Sequence, residues 1–217
     1  MSEDPETARQ IAELSLDTRP LLVLDVDDVL IEFLRPFIRY LNGQGLDLSL
    51  ATFRLLGNVS RRTTRELLDQ ESVSALVDSF FGAQRDWQSP LRGAPDAIAG
   101  LARDAEIVML TSMPHRHRSI RRTLLDHFGF RYPLVTTETA KGPAIQALRG
   151  MSDRPIAFVD DMPHNLASAR ASVADAHLFH LMAMPEFRPL LPQLPERAEI
   201  VDEWRDAAER IAAALRI

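Results

Sequence analysis

Apolar and polar positions form two different patterns along this chain. Short apolar runs bounded by polar residues are typical of strands buried in a parallel sheet, whereas apolar residues spaced three and four apart indicate helices that bury one side. The first run covers 21–24 and ends at Asp25. Similar runs predict further strands at 106–110, 132–136, 156–159, 176–182 and 198–201.

Segments with helical spacing separate these predicted strands. A short leading helix is predicted over 6–16. Later helices are predicted at 94–103, 115–128, 141–149, 163–172 and 202–215. Strands that alternate with helices favour an α/β fold, in which a doubly wound parallel sheet carries helices on both faces.

Residues 32–90 break this alternation. Their apolar spacing predicts helices at 33–42, 50–57, 61–70 and 72–82, with no strand among them. Pro90 and Gly93 mark the end of the segment. The sequence therefore predicts a core made of 1–31 and 91–217, with a small helical insertion at 32–90.

Composition narrows the class of protein. The chain has 217 residues, of which 46% are hydrophobic, so it can bury a sizeable core. Its formal net charge of -6 makes it a poor nucleic-acid binder. It has no cysteine, which excludes thiolate metal sites, and neither a signal-peptide core nor a membrane-spanning apolar stretch is expected. We expect a soluble cytoplasmic protein with no nucleic-acid or membrane partner, and leave its oligomeric state open.

Polar side chains follow three of the predicted strands or open a predicted helix. Because the carboxyl ends of parallel strands share one edge of a sheet, these side chains are expected to converge. They are Asp25 and Asp27, Thr111 and Ser112, Lys141, and Asp160 with Asp161.

The charge at this edge calls for a cation. Two carboxylates about 4 Å apart repel by about 4 kcal/mol at an effective dielectric near 20, and one lysine cannot balance four aspartates. Oxygen ligands without cysteine or paired histidines favour Mg²⁺, which leaves room for a substrate phosphate. Lys141 and Thr111 can both hydrogen-bond a phosphoryl oxygen.

The polar residues fall in four short motifs: Asp25-Val26-Asp27-Asp28-Val29-Leu30, Thr111-Ser112, Lys141-Gly142 and Asp160-Asp161. In this order and context they resemble the motifs of the haloacid dehalogenase-like hydrolases. The resemblance spans roughly residues 20–180. It implies a Rossmann-like core, and the helical stretch at 32–90 resembles the type-1 cap of these proteins.

The resemblance also implies roles. Asp25 would be the nucleophile and Asp27 the general acid and base. Thr111, Ser112 and Lys141 would bind the phosphoryl group of a small phosphorylated substrate. Mg²⁺ would be held by Asp25, by Asp27 through its backbone carbonyl, and by Asp160 with help from Asp161. An aspartate two residues after the nucleophile separates phosphatases from dehalogenases in this superfamily, so Asp27 indicates phosphoryl transfer to water, with a nucleotide or sugar phosphate as one possible substrate.

Other functions stay open at this stage. The chain could be a phosphotransferase or nucleotidase of the same fold, or a binding or regulatory protein that has lost turnover. A receiver-type phosphoacceptor domain uses similar residues, but its lysine comes after its threonine or serine at the last strand, whereas Lys141 precedes Asp160.

Several other positions carry weaker expectations. The basic run that includes Arg121 and Arg122 is interpreted as a solvated helix face, with His115 or Arg116 as an alternative contact at the substrate rim. His164 is a candidate for the site entrance. Asp28 stands where many relatives have glycine and is interpreted as a turn residue, and Asn165 as an oxygen that replaces a later aspartate of the fourth motif. Candidate substrate readers in 32–90 are Arg54, Arg61, Arg62, Arg85 and Trp87.

Overall fold

The computed structural model of the protein describes residues 4–15, 17–52 and 54–217. Position 16, which the predicted leading helix included, and position 53, which the predicted helix 50–57 included, lie outside the described residues. Among the helices in the described ranges, none combines the length and the apolar character that crossing a membrane would require.

Six parallel strands form the central sheet, as the sequence predicted. Their spatial order is β5-β4-β1-β6-β7-β8, and a separate antiparallel pair joins β2 to β3. The strands are β1 (Leu21–Leu24), β2 (Leu46–Leu48), β3 (Val59–Arg61), β4 (Glu106–Ser112), β5 (Leu134–Thr137), β6 (Ile156–Asp160), β7 (His177–His180) and β8 (Ala198–Ile200).

Helices cover both faces of this sheet, which makes the fold the predicted α/β type. The predicted helix over 115–128 is divided into a 3-10 turn at His115–His117 and a regular helix after it. The helices are α1 (Pro5–Ala12), α2 (Leu34–Gly43), α3 (Gln70–Gly82), α4 (Gln84–Trp87), α5 (Ala94–Leu101), α6 (Arg118–His127), α7 (Lys141–Arg149), α8 (Pro163–Ser172) and α9 (Trp204–Leu215).

Strand β1 is the centre of the fold because it pairs with β4 on one side and β6 on the other. In that register Leu24 lies opposite both Met109 and Val159. The backbone N–H of Asp25 donates to the carbonyl of Val159 at 2.9 Å, so pairing continues to the first aspartate. The ends of β1, β4 and β6 therefore lie side by side, and the residues that follow them meet.

Gly142 brings α7 close to α8. A Cβ atom there would lie 2.2 Å from the backbone oxygen of Ser168, a distance that no side chain tolerates. The N–H of Gly142 instead donates to the Ser168 hydroxyl at 2.9 Å. The preceding residue, Lys141, begins α7, so this close contact fixes where its side chain starts.

The inserted segment, residues 32–90, is not purely helical, and two of its predicted helices are wrong. The stretch 61–70 contains no helix before Gln70, and the described part of 50–57 is irregular. Instead β2 and β3 form a short antiparallel pair. Helices α2 and α3 do form where apolar spacing predicted them, and they bury Phe37, Phe80 and neighbouring residues in a cluster of their own. Phe80 therefore packs in the interior of the segment.

The chain enters and leaves the inserted segment side by side. Ile31 bridges to Pro90 in antiparallel fashion. The N–H of Glu32 donates to the carbonyl of Ser89, and that of Leu91 to the carbonyl of Leu30. These hydrogen bonds tie the two connections to each other directly beside the end of β1.

Candidate active site

Three carboxylates converge where β1 and β6 end. Asp25, Asp160 and Asp161 each place an oxygen within 4.8 Å of the others, and all three are buried. Burial raises the pKa of Asp25 to about 7 against the opposing pull of Lys141, and burial together with Asp160 raises the pKa of Asp161 well above its usual range. A divalent cation fits this set because it supplies the missing positive charge to hard oxygen ligands.

Lys141 supplies one positive charge to the cluster. Its Nζ lies 2.6 Å from Asp25 Oδ1 and 2.7 Å from Asp160 Oδ2, and the side chain is fully buried. The two carboxylates outweigh the cost of burying the ammonium and raise its pKa above the ordinary value. One lysine cannot balance three ionised carboxylates, so a bound cation would be needed to keep all three ionised.

Asp160 is held in place by its own neighbours. Its Oδ1 accepts from the backbone N–H of Met162 at 2.8 Å and from the Asn165 amide at 3.0 Å. The same amide also reaches Oδ2 at 3.2 Å. Asn165 thus presents its nitrogen to Asp160 and orients it, which differs from the predicted role as a replacement oxygen.

Thr111 brings an unused hydroxyl to the site. The residue is fully buried at the end of β4 and lines the same cavity as Asp25. Its Oγ1 has no hydrogen-bond partner among the described residues. A buried hydroxyl without a hydrogen-bond partner destabilises the fold unless a ligand supplies that hydrogen bond. Ser112 follows it at the cavity wall and is exposed.

The Asp27 carboxylate is not part of the three-carboxylate cluster and has hydrogen-bond partners of its own. Its Oδ1 and Oδ2 accept from the Arg121 guanidinium at 2.8 and 3.2 Å, and Oδ1 also accepts from Gln88 at 2.9 Å. Its side chain is 18% exposed and lines the cavity. Residues of the core and of the inserted segment together thus hold this carboxylate. The predicted metal ligand at this position is the backbone carbonyl of Asp27.

The prediction that Arg121 lies on a solvated helix face is wrong. The residue is fully buried beneath the inserted segment. Its Nε donates to Gln84 at 2.5 Å, and its guanidinium lies 5.5 Å from the centre of the Phe81 ring. A buried guanidinium needs an anionic partner, but the five basic residues within 116–122 do not show in the sequence which of them is buried.

The backbone conformation and hydrogen bonds of Asp28 explain how an aspartate can occupy this turn. Asp28 has a φ of 57°, a left-handed conformation that aspartate tolerates better than most residues. Its carboxylate accepts from the N–H groups of Phe33 at 2.8 Å and Leu34 at 3.0 Å, where α2 begins. Burial nevertheless raises its pKa to about 7. Asp28 is therefore a turn residue, as predicted, and it also holds the first helix of the inserted segment.

A cavity of about 400 Å³ connects these groups to the inserted segment. His164 lines it, as predicted for the entrance, together with Met162. From the segment come Phe33 and Leu34 at the start of α2, and Val77 and Phe81 on α3. The last residue of β2 and the irregular stretch after it add the remaining wall: Leu48, Leu50, Arg54 and Leu55. Of the proposed substrate readers, Arg54 alone among the described residues lines the cavity.

His115 and Arg116 do not reach the cavity. His115 Nε2 lies 3.1 Å from Asp4, and its Nδ1 lies 2.7 Å from the Thr136 hydroxyl, so it ties α1 to the sheet. Arg116 pairs with Asp78 of α3, and His117 Nε2 lies 2.5 Å from the same carboxylate. These residues fasten the inserted segment to the core, and the predicted contact at the substrate rim is not formed.

Solved structures of known proteins share this architecture. A haloacid dehalogenase family hydrolase from Deinococcus radiodurans R1, solved with phosphate and sodium, superposes with a TM-score of 0.59 at 13% identity over 91% of this chain and 97% of its own. A predicted phosphatase from Clostridium acetobutylicum gives 0.60 at 15% identity over 91% and 100%. A conserved haloacid dehalogenase-like protein of unknown function from Agrobacterium tumefaciens gives 0.61 at 13% identity over 90% and 98%.

Sequence comparison is less informative than structure. No protein-family model matches the chain, and no curated protein matches it. The structural similarity shows the fold: the chain has the α/β fold of the haloacid dehalogenase-like hydrolases, as its four motifs predicted. The roles of the individual site residues stay predictions.

Proposed function

We propose that the protein is a Mg²⁺-dependent phosphomonoester hydrolase that works through a phosphorylated Asp25. The observation that carries the proposal is that Asp25, Asp160, Asp161 and Lys141 meet directly behind a cavity that Asp25, Asp161 and the unpartnered Thr111 hydroxyl line. Solved proteins with this fold include a predicted phosphatase and a haloacid dehalogenase family hydrolase that was solved with phosphate and sodium bound.

In the proposed reaction Asp25 attacks the phosphorus atom of the ester. An Asp25 oxygen forms a bond to phosphorus while the bond to the leaving oxygen breaks, and Asp27 gives that oxygen a proton. Asp27 then takes a proton from water, whose oxygen attacks the phosphorylated Asp25. Inorganic phosphate leaves, and Asp25 is restored as a carboxylate.

The other residues hold the phosphoryl group. The Thr111 hydroxyl and the Lys141 ammonium donate hydrogen bonds to its oxygens, and Ser112 lines the same wall. Asp25, Asp160, Asp161 and the backbone carbonyl of Asp27 would hold the magnesium ion. Once bound, that ion would neutralise charge on the phosphoryl oxygens in the transition state.

We further propose that residues 32–90 act as a cap on the catalytic core formed by 1–31 and 91–217. Gln88 and Gln84 of this segment touch Asp27 and Arg121, so its position is tied to the proposed acid. The segment also supplies one wall of the cavity. A cap of this kind excludes water and selects the leaving group.

Phosphate release from a panel of monoesters, with Mg²⁺ and with a chelator, tests the proposal. Wild type should release phosphate only with the metal. Asp25→Asn should lower turnover on the order of 10⁴-fold, as expected for loss of a nucleophile. The matched control is Asp104→Asn, the same change at an exposed residue before β4, which should leave turnover unchanged.

A trapping experiment separates an enzyme from a silent binding protein with the same fold. Beryllofluoride with Mg²⁺ should form a stable adduct on Asp25 in wild type and none in Asp25→Asn, read by ¹⁹F NMR. Turnover that survives in pure Asp25→Asn, or a chelator-resistant activity, would contradict the mechanism.

A further inference from the structure

We infer that the substrate carries an apolar leaving group, so that the protein hydrolyses alkyl or aryl phosphates in preference to sugar phosphates. The inference rests on the proposed function, because it concerns the group bonded to the phosphoryl oxygen opposite Asp25. It comes from the cavity of about 400 Å³, a volume suited to a small molecule. The two ends of that cavity differ in chemistry.

The phosphoryl end is polar and the far end is apolar. Aspartates and the Thr111 hydroxyl line the first. At the far end the inserted segment contributes phenylalanine, leucine and valine side chains, and Arg54 is the one polar side chain among its described lining residues. Arg54 is exposed, so a group deep in the cavity meets hydrocarbon.

Such walls disfavour a sugar. Each sugar hydroxyl that leaves water without finding a partner lowers affinity roughly 5- to 150-fold. Arg54 is exposed and the Asn165 amide nitrogen already donates to Asp160, so the further polar partners for a hydroxyl, Ser112 and His164, lie on the core wall and not on the apolar wall. A methylene group placed in the same space instead gains about fourfold in affinity when fully buried.

The walls are partly pre-formed. Phe33 stacks on Phe37 at 5.5 Å and lies 5.7 Å from Phe81, so both lining rings are fixed by the cluster inside the segment. Leu48, Leu50, Leu55 and Val77 keep part of their surface exposed towards the cavity. An apolar ligand would remove that surface from water without reorganising the rings.

Two primary phosphates with six carbons give the direct test. Hexyl phosphate and glucose 6-phosphate break the same type of bond, so their kcat/KM values compare leaving-group binding. We expect hexyl phosphate to be favoured at least tenfold, and kcat/KM to rise two- to fourfold per methylene from ethyl to hexyl phosphate. An equal or higher value for glucose 6-phosphate, or no dependence on chain length, would overturn the inference.

A binding experiment keeps this result separate from the proposed function. With Mg²⁺ present, hexylphosphonate should bind at least tenfold more tightly than methylphosphonate by calorimetry, although neither can be hydrolysed. Hydrolysis without any preference for chain length would overturn the inference and leave the proposed function. Tight hexylphosphonate binding with no ester hydrolysed would overturn the proposed function and leave the apolar site.

Neighbouring leucines provide a matched pair of variants. Leu55→Asn places a polar amide on the wall and should lower kcat/KM for hexyl phosphate about tenfold relative to glucose 6-phosphate. Leu56→Asn makes the same change at a residue that is 50% exposed and does not line the cavity, so selectivity should stay at the wild-type ratio. Val77→Thr, which keeps the side-chain shape, serves if Leu55→Asn folds poorly. Unchanged selectivity in both wall variants would contradict the inference.

Discussion

The core and the inserted segment meet at one cavity but stabilise their walls in different ways. On the core side, charged groups depend on one another: Lys141, behind the cavity wall, lies between Asp25 and Asp160. The segment wall consists of apolar side chains packed on an aromatic cluster around Phe33, Phe37 and Phe80. Charge pairing on one side and apolar packing on the other therefore come from separate stretches of sequence, and the hydrogen bonds of Asp27 to Arg121 and Gln88 join the two.

Removing Lys141 should affect the core wall most. Lys141→Met leaves Asp25 and Asp160 buried without their cation, which should lower the free energy of unfolding of the metal-free protein by about 4 kcal/mol at pH 8. Urea denaturation measures the loss. Arg149→Met, on the same helix, removes an ion pair whose partner Asp175 is 68% exposed, so it should cost less than about 1 kcal/mol. Equal losses would contradict the role of Lys141.

Asp28 and Asp69 test how pH acts on the two regions. The raised pKa of Asp28, about 7 against an ordinary 3.8, means that the folded state binds its proton more tightly. Stability should therefore fall as pH rises from about 4 to about 7, on the order of 3 kcal/mol from this residue. Asp28→Asn tolerates the φ of 57° and should remove that slope in metal-free protein, measured by denaturation at each pH.

Asp69 should show the opposite sign. It caps α3 by accepting from the N–H of Ser72 at 2.7 Å, which lowers its pKa. Its contribution is present above pH 3.8 and lost as pH falls through the lowered pKa. Asp69→Asn should therefore differ from wild type at neutral pH and converge with it in acid. If the stability difference between wild type and variant changed with pH in the same direction for Asp28→Asn and Asp69→Asn, the opposite pKa shifts of these two residues would be contradicted.

A methyl group at position 142 should disturb the core without touching a charge. Gly142→Ala places a Cβ atom 2.2 Å from the Ser168 carbonyl oxygen and should cost about 2 kcal/mol as α7 and α8 separate. The control, Gly100→Ala in α5, meets nothing within 4 Å and should be neutral or stabilising by up to about 1 kcal/mol. Thermal denaturation of the two variants distinguishes a packing effect from a change in helix propensity.

The smallest effect is expected where the segment is fastened to the core. Asp78 contacts Arg116 and His117, but its side chain is 39% exposed. Asp78→Asn should lower the unfolding free energy by less than about 1 kcal/mol, and about 1 M salt should abolish the difference. A larger, salt-independent loss would show that these ion pairs, rather than apolar packing, hold the segment in place.

Much of the core was predictable because its strands are buried on both faces. Such strands need unbroken apolar runs, as in Leu21–Leu24 and Ile156–Asp160, and parallel pairing then brings their polar ends together. The fold was confirmed on this basis, and Asp25, Thr111 and Asp161 do line one cavity. In the inserted segment, by contrast, β2 and β3 are three residues each, too short for a periodic pattern to distinguish them from loops.

What the sequence determined by itself was the order of elements in the core and the set of oxygen and nitrogen groups at its strand ends, because the strands there follow a clear local pattern. The tertiary structure alone decided which partners those groups have. Arg121 belongs to a basic run whose members look alike in sequence, and only the packing of α6 beneath Gln84 and Phe81 turns it towards Asp27. The apolar wall likewise exists because distant leucines and phenylalanines fold against one cavity, an arrangement that no local pattern specifies.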